Sequence, residues 1–318
     1  MIRGKENLRK RVKYRNAILF VVLAAVWGSA FTAIRAGLEY FPPVLFAALR
    51  YDLAGVIMLG YAVYATDRWR PRDRAEWVIV AIGGVFLIAA YHAFLFVGEQ
   101  GTTSAAAAVV VSLSPVLTTG FARVLLPEER LTTLGLIGLA VGFVGVAVLS
   151  NPDPDNLATT RTVSLGLVFL AAVSFALGSV LTRRVEGELP IETMEAWSMC
   201  LGAVLMHGVS LGLGESVQSV EWTTEGLIAL GYLSLAASAA GFLIYFDLLD
   251  RLGPIEINLV SYAAPFAAAV TGVVFLGETP TVFTVVGFGL ICGGFVLIKR
   301  EAIREELLGV SAAGVSDD

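Results

Sequence analysis

Few ionisable side chains interrupt the long apolar runs of this chain, and Arg50 is the most exposed to question. Counted from Pro43, Arg50 lies about 10 Å along a helix that rises ~1.5 Å per residue. A guanidinium at the bilayer centre costs at least ~2.5–3.5 kcal/mol on insertion scales. It therefore needs a water-filled cavity, a partner or a snorkelling path. Arg50 is either a cationic anchor on a solute path or a structural arginine bonded to helix ends. Asp52 falls on roughly the opposite helix face and is a poor partner for it. Asp52 is expected to be either a buried carboxyl that could couple proton movement or a hydrogen-bonded structural group. His92 and His207 are the only histidines. Each could relay protons or bond one helix to another. Neither has metal-ligand spacing to another residue, so no metal site and no cofactor are expected.

Two prolines stand inside apolar runs, in Ser114-Pro115 and in Tyr262-Ala263-Ala264-Pro265. A proline frees a backbone carbonyl and kinks its helix, which membrane proteins tolerate beside a cavity. Pro115 and Pro265 are candidate hinges. Ser112, Ser114, Asn258, Ser261 and Tyr262 are polar groups nearby that could hydrogen-bond a solute. Trp27 and Tyr91 lie too deep for an interfacial aromatic belt and are candidate cavity walls, ahead of Trp197 and Tyr245. His92 with Ser112 or Ser114 is the one conceivable hydrolytic dyad. No GxSxG turn and no HExxH motif accompanies it, and no Walker motif is present.

The elements that must position these residues follow from composition. Of 318 residues, 57% are hydrophobic and 15% charged, against about 25% charged in a soluble domain. Mean hydropathy is +0.78. Cys200 and Cys292 both fall inside apolar runs, which excludes a disulfide framework. Ten apolar segments approach the ~20 residues a spanning helix needs. They cover 17–37, 43–65, 76–98, 102–125, 131–150, 162–182, 193–213, 223–246, 254–276 and 281–298. Runs of this length in lipid mean helices, so the expected class is an all-α polytopic membrane protein. Of 22 Lys and Arg, 19 fall in the tails and even-numbered loops on one side. The positive-inside rule then puts both termini in the cytoplasm of a multi-pass cell-membrane protein.

The second half of the chain repeats the first. Pro115 and Pro265 are 150 positions apart, and so are Glu128 and Glu278, Gly28 and Gly178, Ser29 and Ser179, and Phe96 and Phe246. A repeat of this length is an internal duplication. Each copy holds five spans, an odd number, so the second must be inverted with respect to the first. Inverted repeats are a common plan for secondary transporters, with the solute site between the halves near mid-membrane. The expected divisions are a basic tail at 1–16, repeats at 17–150 and 162–298, an external linker at 151–161, and a tail at 299–318. Glu128 and Glu278 should lie on opposite faces, each on the first amides of the following helix. Gly138 with Gly142, and Gly289 with Gly293, form GxxxG pairs that pack the halves together or form a homodimer face.

The ordered motifs resemble the EamA-type transporters of the drug/metabolite transporter superfamily. In the first copy these are Trp27-Gly28-Ser29-Ala30-Phe31, Arg35, Pro43 to Arg50, Thr103-Ser104-Ala105, Ser114-Pro115 and Leu126 to Leu131. In the second they are Ser261 to Pro265 and Phe275-Leu276-Gly277-Glu278. The resemblance covers about residues 17–298. It implies a cavity lined by spans one, three, four, six, eight and nine, and movement of small metabolites, often outward, without ATP hydrolysis. The expected function is a secondary transporter, an exporter of amino acids or related solutes by alternating access. Expected partners are a small-molecule metabolite and the lipid bilayer, with no nucleic acid. An intramembrane hydrolase and a passive channel or scaffold are the alternatives.

Overall fold

A computed structural model describes residues 2–126, 133–150, 159–252, 257 and 259–307. Glu128, Asn258 and most of the 151–161 linker lie outside the described residues. Ten helices follow one another among the described residues: α1 (Ile2–Gly37), α2 (Pro43–Ala65), α3 (Arg74–Glu99), α4 (Ser104–Leu125), α5 (Thr133–Ser150), α6 (Thr160–Arg184), α7 (Ile191–Gly212), α8 (Thr224–Leu252), α9 (Val260–Leu276) and α10 (Val282–Leu307). Seven are long and apolar enough to cross a membrane. The apolar parts of the other three are shorter, at Thr133–Leu149, Val260–Leu276 and Val282–Leu297. The chain is an all-α polytopic membrane protein, with Val56, Val204, Phe266, Val274 and Val285 exposed on its apolar outer surface.

Local chemistry sets the helix ends. Asp73, Thr103, Thr159 and Thr223 each accept a hydrogen bond from an amide of the first turn that follows, which satisfies a donor with no intrahelical partner. Pro43 opens α2, where its missing N–H is no loss. The next two amides, of Val44 and Leu45, donate to the Glu215 carboxylate at 3.1 and 2.7 Å. At the end of α9, Gly277 adopts φ +65°, the left-handed turn that a side chain would strain.

The helix pairs are those of a twofold exchange. α2 packs on α7, α4 on α9 and α5 on α10, each against its own copy. The α1–α9 pair is matched by α6–α4, and α8–α1 by α3–α6. The copies run in opposite senses. The end of α1, at Arg35, and the start of α6, at Arg161, line one vestibule. Arg15, early in α1, instead meets Asp247, late in α8, at the end of the bundle where α10 also finishes. These are called the far end and the terminal end below.

α5 and α10 meet through glycine. A side chain at Gly145 would strike the backbone of Gly287, and one at Gly294 would strike Gly138 and Gly142. Gly289 and Gly293 face open space. The seam between the halves therefore uses Gly287 and Gly294, and the GxxxG pair expected in α10 is not part of it.

Both α3 and α8 widen into π-helical stretches, at Gly83–Ala90 and Tyr232–Ala240. The two stretches sit at equivalent places in the repeats. Such π-helical turns are uncommon and frequent at functional sites, and here a donor from the opposite half bonds a carbonyl in each. Ser174 of α6 donates to Phe86 O at 2.9 Å, and the Trp27 indole of α1 donates to Ala237 O at 3.1 Å.

Candidate functional site

One cluster of buried polar groups lies where α2, α3 and α8 meet. Arg50 is 6% exposed, and its Nε donates to Ser238 Oγ at 2.9 Å. Its guanidinium carbon lies 5.2 Å from the centre of the Tyr51 ring, within cation–π range. The Tyr51 hydroxyl lies 2.8 Å from His92 Nε2. His92 Nδ1 lies 2.8 Å from the carbonyl of Ile88. As Ile88 can only accept, Nδ1 carries the proton and donates, so Nε2 of the neutral ring accepts from Tyr51. Tyr91 stands edge-on to His92 and tilts against Phe175 of α6. Arg50 is thus tied to the second repeat, and His92 is tied to it through Tyr51 and the arginine. Tyr51 and Ser238, which complete this cluster, did not stand out in the sequence. Tyr51 is overshadowed by the charged Arg50 and Asp52 on either side of it, Ser238 lies among alanines, and the role of both depends on contacts across the fold.

The other candidates are spread along the interface between halves. Trp27 stacks on Tyr245, 5.5 Å between ring centres, and tilts against Phe242. Ser29, next but one to it, shares a 2.6 Å hydrogen bond with the Tyr232 hydroxyl. Tyr262 packs on Phe295 of α10, and its buried hydroxyl has no hydrogen-bond partner among the described residues.

Pro115 interrupts α4 at Ser112 and Leu113. Lacking an N–H, it cannot bond the carbonyl four residues back, at Val111. Ser114 Oγ fills that position, donating to Val111 O at 2.7 Å. Ser112 Oγ likewise donates to Val109 O. Among the described residues no hydrogen bond joins His92 to either serine, so the hydrolytic dyad is not assembled. Pro265 is buried inside α9.

Asp52 is apart from this cluster. Its carboxylate meets His207 Nε2 at 2.8 Å across the α2–α7 contact. Glu278 is not on the helix that follows it. Its carboxylate accepts from both the amide and the hydroxyl of Ser104, at 3.0–3.1 Å, at the start of α4 in the opposite repeat.

Among the described residues, two of the cavities open on the surface. One is an apolar lateral groove of about 410 Å³ between α1, α8 and α9, with Ser29 and Tyr232 in its wall. The other is a polar vestibule of about 330 Å³ at the far end, lined by Arg35, Arg161, Gln100 and Thr102, with Thr103, Thr281 and Thr284 beside them. Arg35 Nη1 donates to the carbonyls of Glu99 and Gln100 at 3.1 and 2.8 Å. Among the described residues no group of three His, Cys, Asp or Glu could hold a metal ion.

Comparison with known proteins agrees with this architecture. The EamA-like transporter family matches residues 15–151 and 162–300, one match per repeat. An "Uncharacterized transporter" of Archaeoglobus fulgidus is 25% identical over 89% of this chain and 98% of its own length. The "Uncharacterized transporter YvbV" of Bacillus subtilis is 26% identical over 96% and 98%. The "Uncharacterized inner membrane transporter YedA" of Escherichia coli strain K12 is 28% identical over 87% and 88%. One solved crystal structure, 23% identical, shares the fold with a TM-score of 0.62 over 91% of this chain and 98% of that one.

Proposed function

The chain belongs to the EamA-like transporter family, and we propose that it is a secondary transporter that exports small organic metabolites, such as amino acids, across the cell membrane. The supporting observation is the bond from Arg50 to Ser238, a buried cation in one repeat held by a hydroxyl of the other. An anionic group of a solute would compete with that hydroxyl, because a carboxylate adds opposite charge and a two-pronged acceptor geometry that a neutral hydroxyl lacks. Releasing Ser238 would free one repeat to rock against the other, the movement that alternating access requires. Trp27, Tyr91 and Tyr262 would wall the path, with Ser114 and Asn258 as polar contacts and Pro115 and Pro265 as hinges. With the basic tail in the cytoplasm, the far-end vestibule opens outside. Asp52 and His92 are both hydrogen-bonded, to His207 and to Tyr51, so a proton taken up by either would alter that bond.

The test is counterflow with purified protein in liposomes, screening labelled amino acids, sugars and nucleosides. A carrier accumulates label against unlabelled solute inside, whereas a channel or scaffold does not. Arg50→Ala should abolish the exchange and Arg50→Lys should retain part of it. Lack of exchange for every class screened would reject this reading.

A further inference from the structure

Glu99 closes α3 just beneath the vestibule wall formed by Gln100, and its side chain is wholly buried. Neither carboxyl oxygen has a hydrogen-bond partner among the described residues. Burying an ionised carboxylate unpaired is among the most expensive arrangements a protein can hold. In a membrane-spanning helix, such a residue points to function rather than packing. The charge has to be matched by a proton or by a cation brought to it.

The charged and titratable groups facing Glu99 are Glu278, two residues beyond the end of α9, Arg35 of α1, Arg50 of α2 and Tyr91 of α3. Glu278 is already occupied by Ser104, and Arg50 by Ser238. Arg35 is the near cation, yet it bonds the backbone carbonyl of Glu99 and not its carboxyl. The guanidinium thus rests on the backbone of the same residue whose carboxyl is unpaired.

We propose that Glu99 is a proton-binding site served by the far-end vestibule, and that Arg35 is the counter-ion that takes over its carboxylate when the proton leaves. In the conformation described, Glu99 holds the proton as a carboxylic acid and Arg35 rests on the carbonyls of Glu99 and Gln100. On release the O–H bond breaks and the proton passes to water in the vestibule. The carboxylate then accepts N–H groups of Arg35, which leaves the backbone carbonyls. Arg35 also lines the vestibule with Arg161, so the proton's departure changes the charge that a solute meets there. The coupling role rests on the transport reading above, while the proton site itself can be read without any solute.

The experiment uses the full chain in lipid nanodiscs with dicyclohexylcarbodiimide, which modifies protonated carboxyls in apolar surroundings, and maps adducts by mass spectrometry. Glu99 should be modified, and the modification should fade as pH rises. Infrared difference spectra between acid and alkaline buffer should show a protonated-carboxyl carbonyl band that Glu99→Gln removes. Arg35→Gln, which lacks the replacement cation, should extend modification of Glu99 to higher pH. A Glu99 that is not modified, together with a spectrum that Glu99→Gln leaves unchanged, overturns the proposal.

A second arm measures uptake of a labelled amino-acid mixture into liposomes. Glu99→Gln should keep exchange at equal pH and lose accumulation driven by a pH gradient. Gradient-driven accumulation retained in Glu99→Gln overturns the coupling role. A wild-type protein that moves no amino acid, while Glu99 still titrates in the nanodisc, counts against the solute class and leaves the proton site supported.

Discussion

Asp52 and His207 meet at 2.8 Å between α2 and α7, with side chains 43% and 38% exposed on the outer side of the bundle. A carboxylate and an imidazole at that depth satisfy one another where lipid cannot. Helix-to-helix hydrogen bonds in membranes average about 0.6 kcal/mol and reach roughly 1.7. Asp52→Ala should therefore lower the unfolding free energy in detergent by about 1 kcal/mol, and His207→Ala by a similar amount. The double variant should be no worse than either alone, and counterflow should persist. Loss of exchange in Asp52→Asn with unchanged stability would favour the proton-coupling role for Asp52 over the structural one.

The glycine seam can be tested by contrast. Gly287→Val would drive a side chain into the backbone of Gly145 and into Leu149, whereas Gly289→Val points into open space. Overpacking costs about 1–3 kcal/mol, so the first should unfold at markedly lower temperature and the second close to wild type. Equal melting of the two would contradict the α5–α10 contact as described.

Trp27→Phe keeps the ring against Tyr245 and Phe242 but removes the donor to Ala237. The expected loss is about 0.5–1.5 kcal/mol, with faster amide exchange at the wide turn of α8. If exchange there is unaltered, the indole is not what holds that turn.

Glu215→Gln tests the far end. The carboxylate serves two amides at the start of α2, and charge-assisted bonds are worth about 1.5–3 kcal/mol each way of counting. The variant should melt lower and fray α2 near Val44, read as faster hydrogen exchange at that helix start. A melting point unchanged from wild type would show that Glu215 is dispensable there.

The duplication and its inversion could be read before any coordinates because each leaves a one-dimensional trace. Constant spacing between Pro115 and Pro265 reports the copy, and an odd number of apolar runs reports the flip. Arg50 also announced itself, since a charge within an apolar run is conspicuous. Its partner Ser238 did not, because serine inside a small-residue stretch of α8 has no distinguishing neighbour. Asp52 and His207 are 155 positions apart, and neither has a counterpart of like chemistry at the repeat spacing. Glu99 sits at a helix end, where a carboxylate ordinarily reaches water. Only the packing of the far end reveals that this one is enclosed.

The wide turns of α3 and α8 each hand a carbonyl to a donor from the opposite repeat, Ser174 to Phe86 and Trp27 to Ala237. Regularising either helix would shift that oxygen and strand the visiting donor across the seam. Neither bundle can straighten in private: a change of pitch on one side is felt at once as a lost bond on the other.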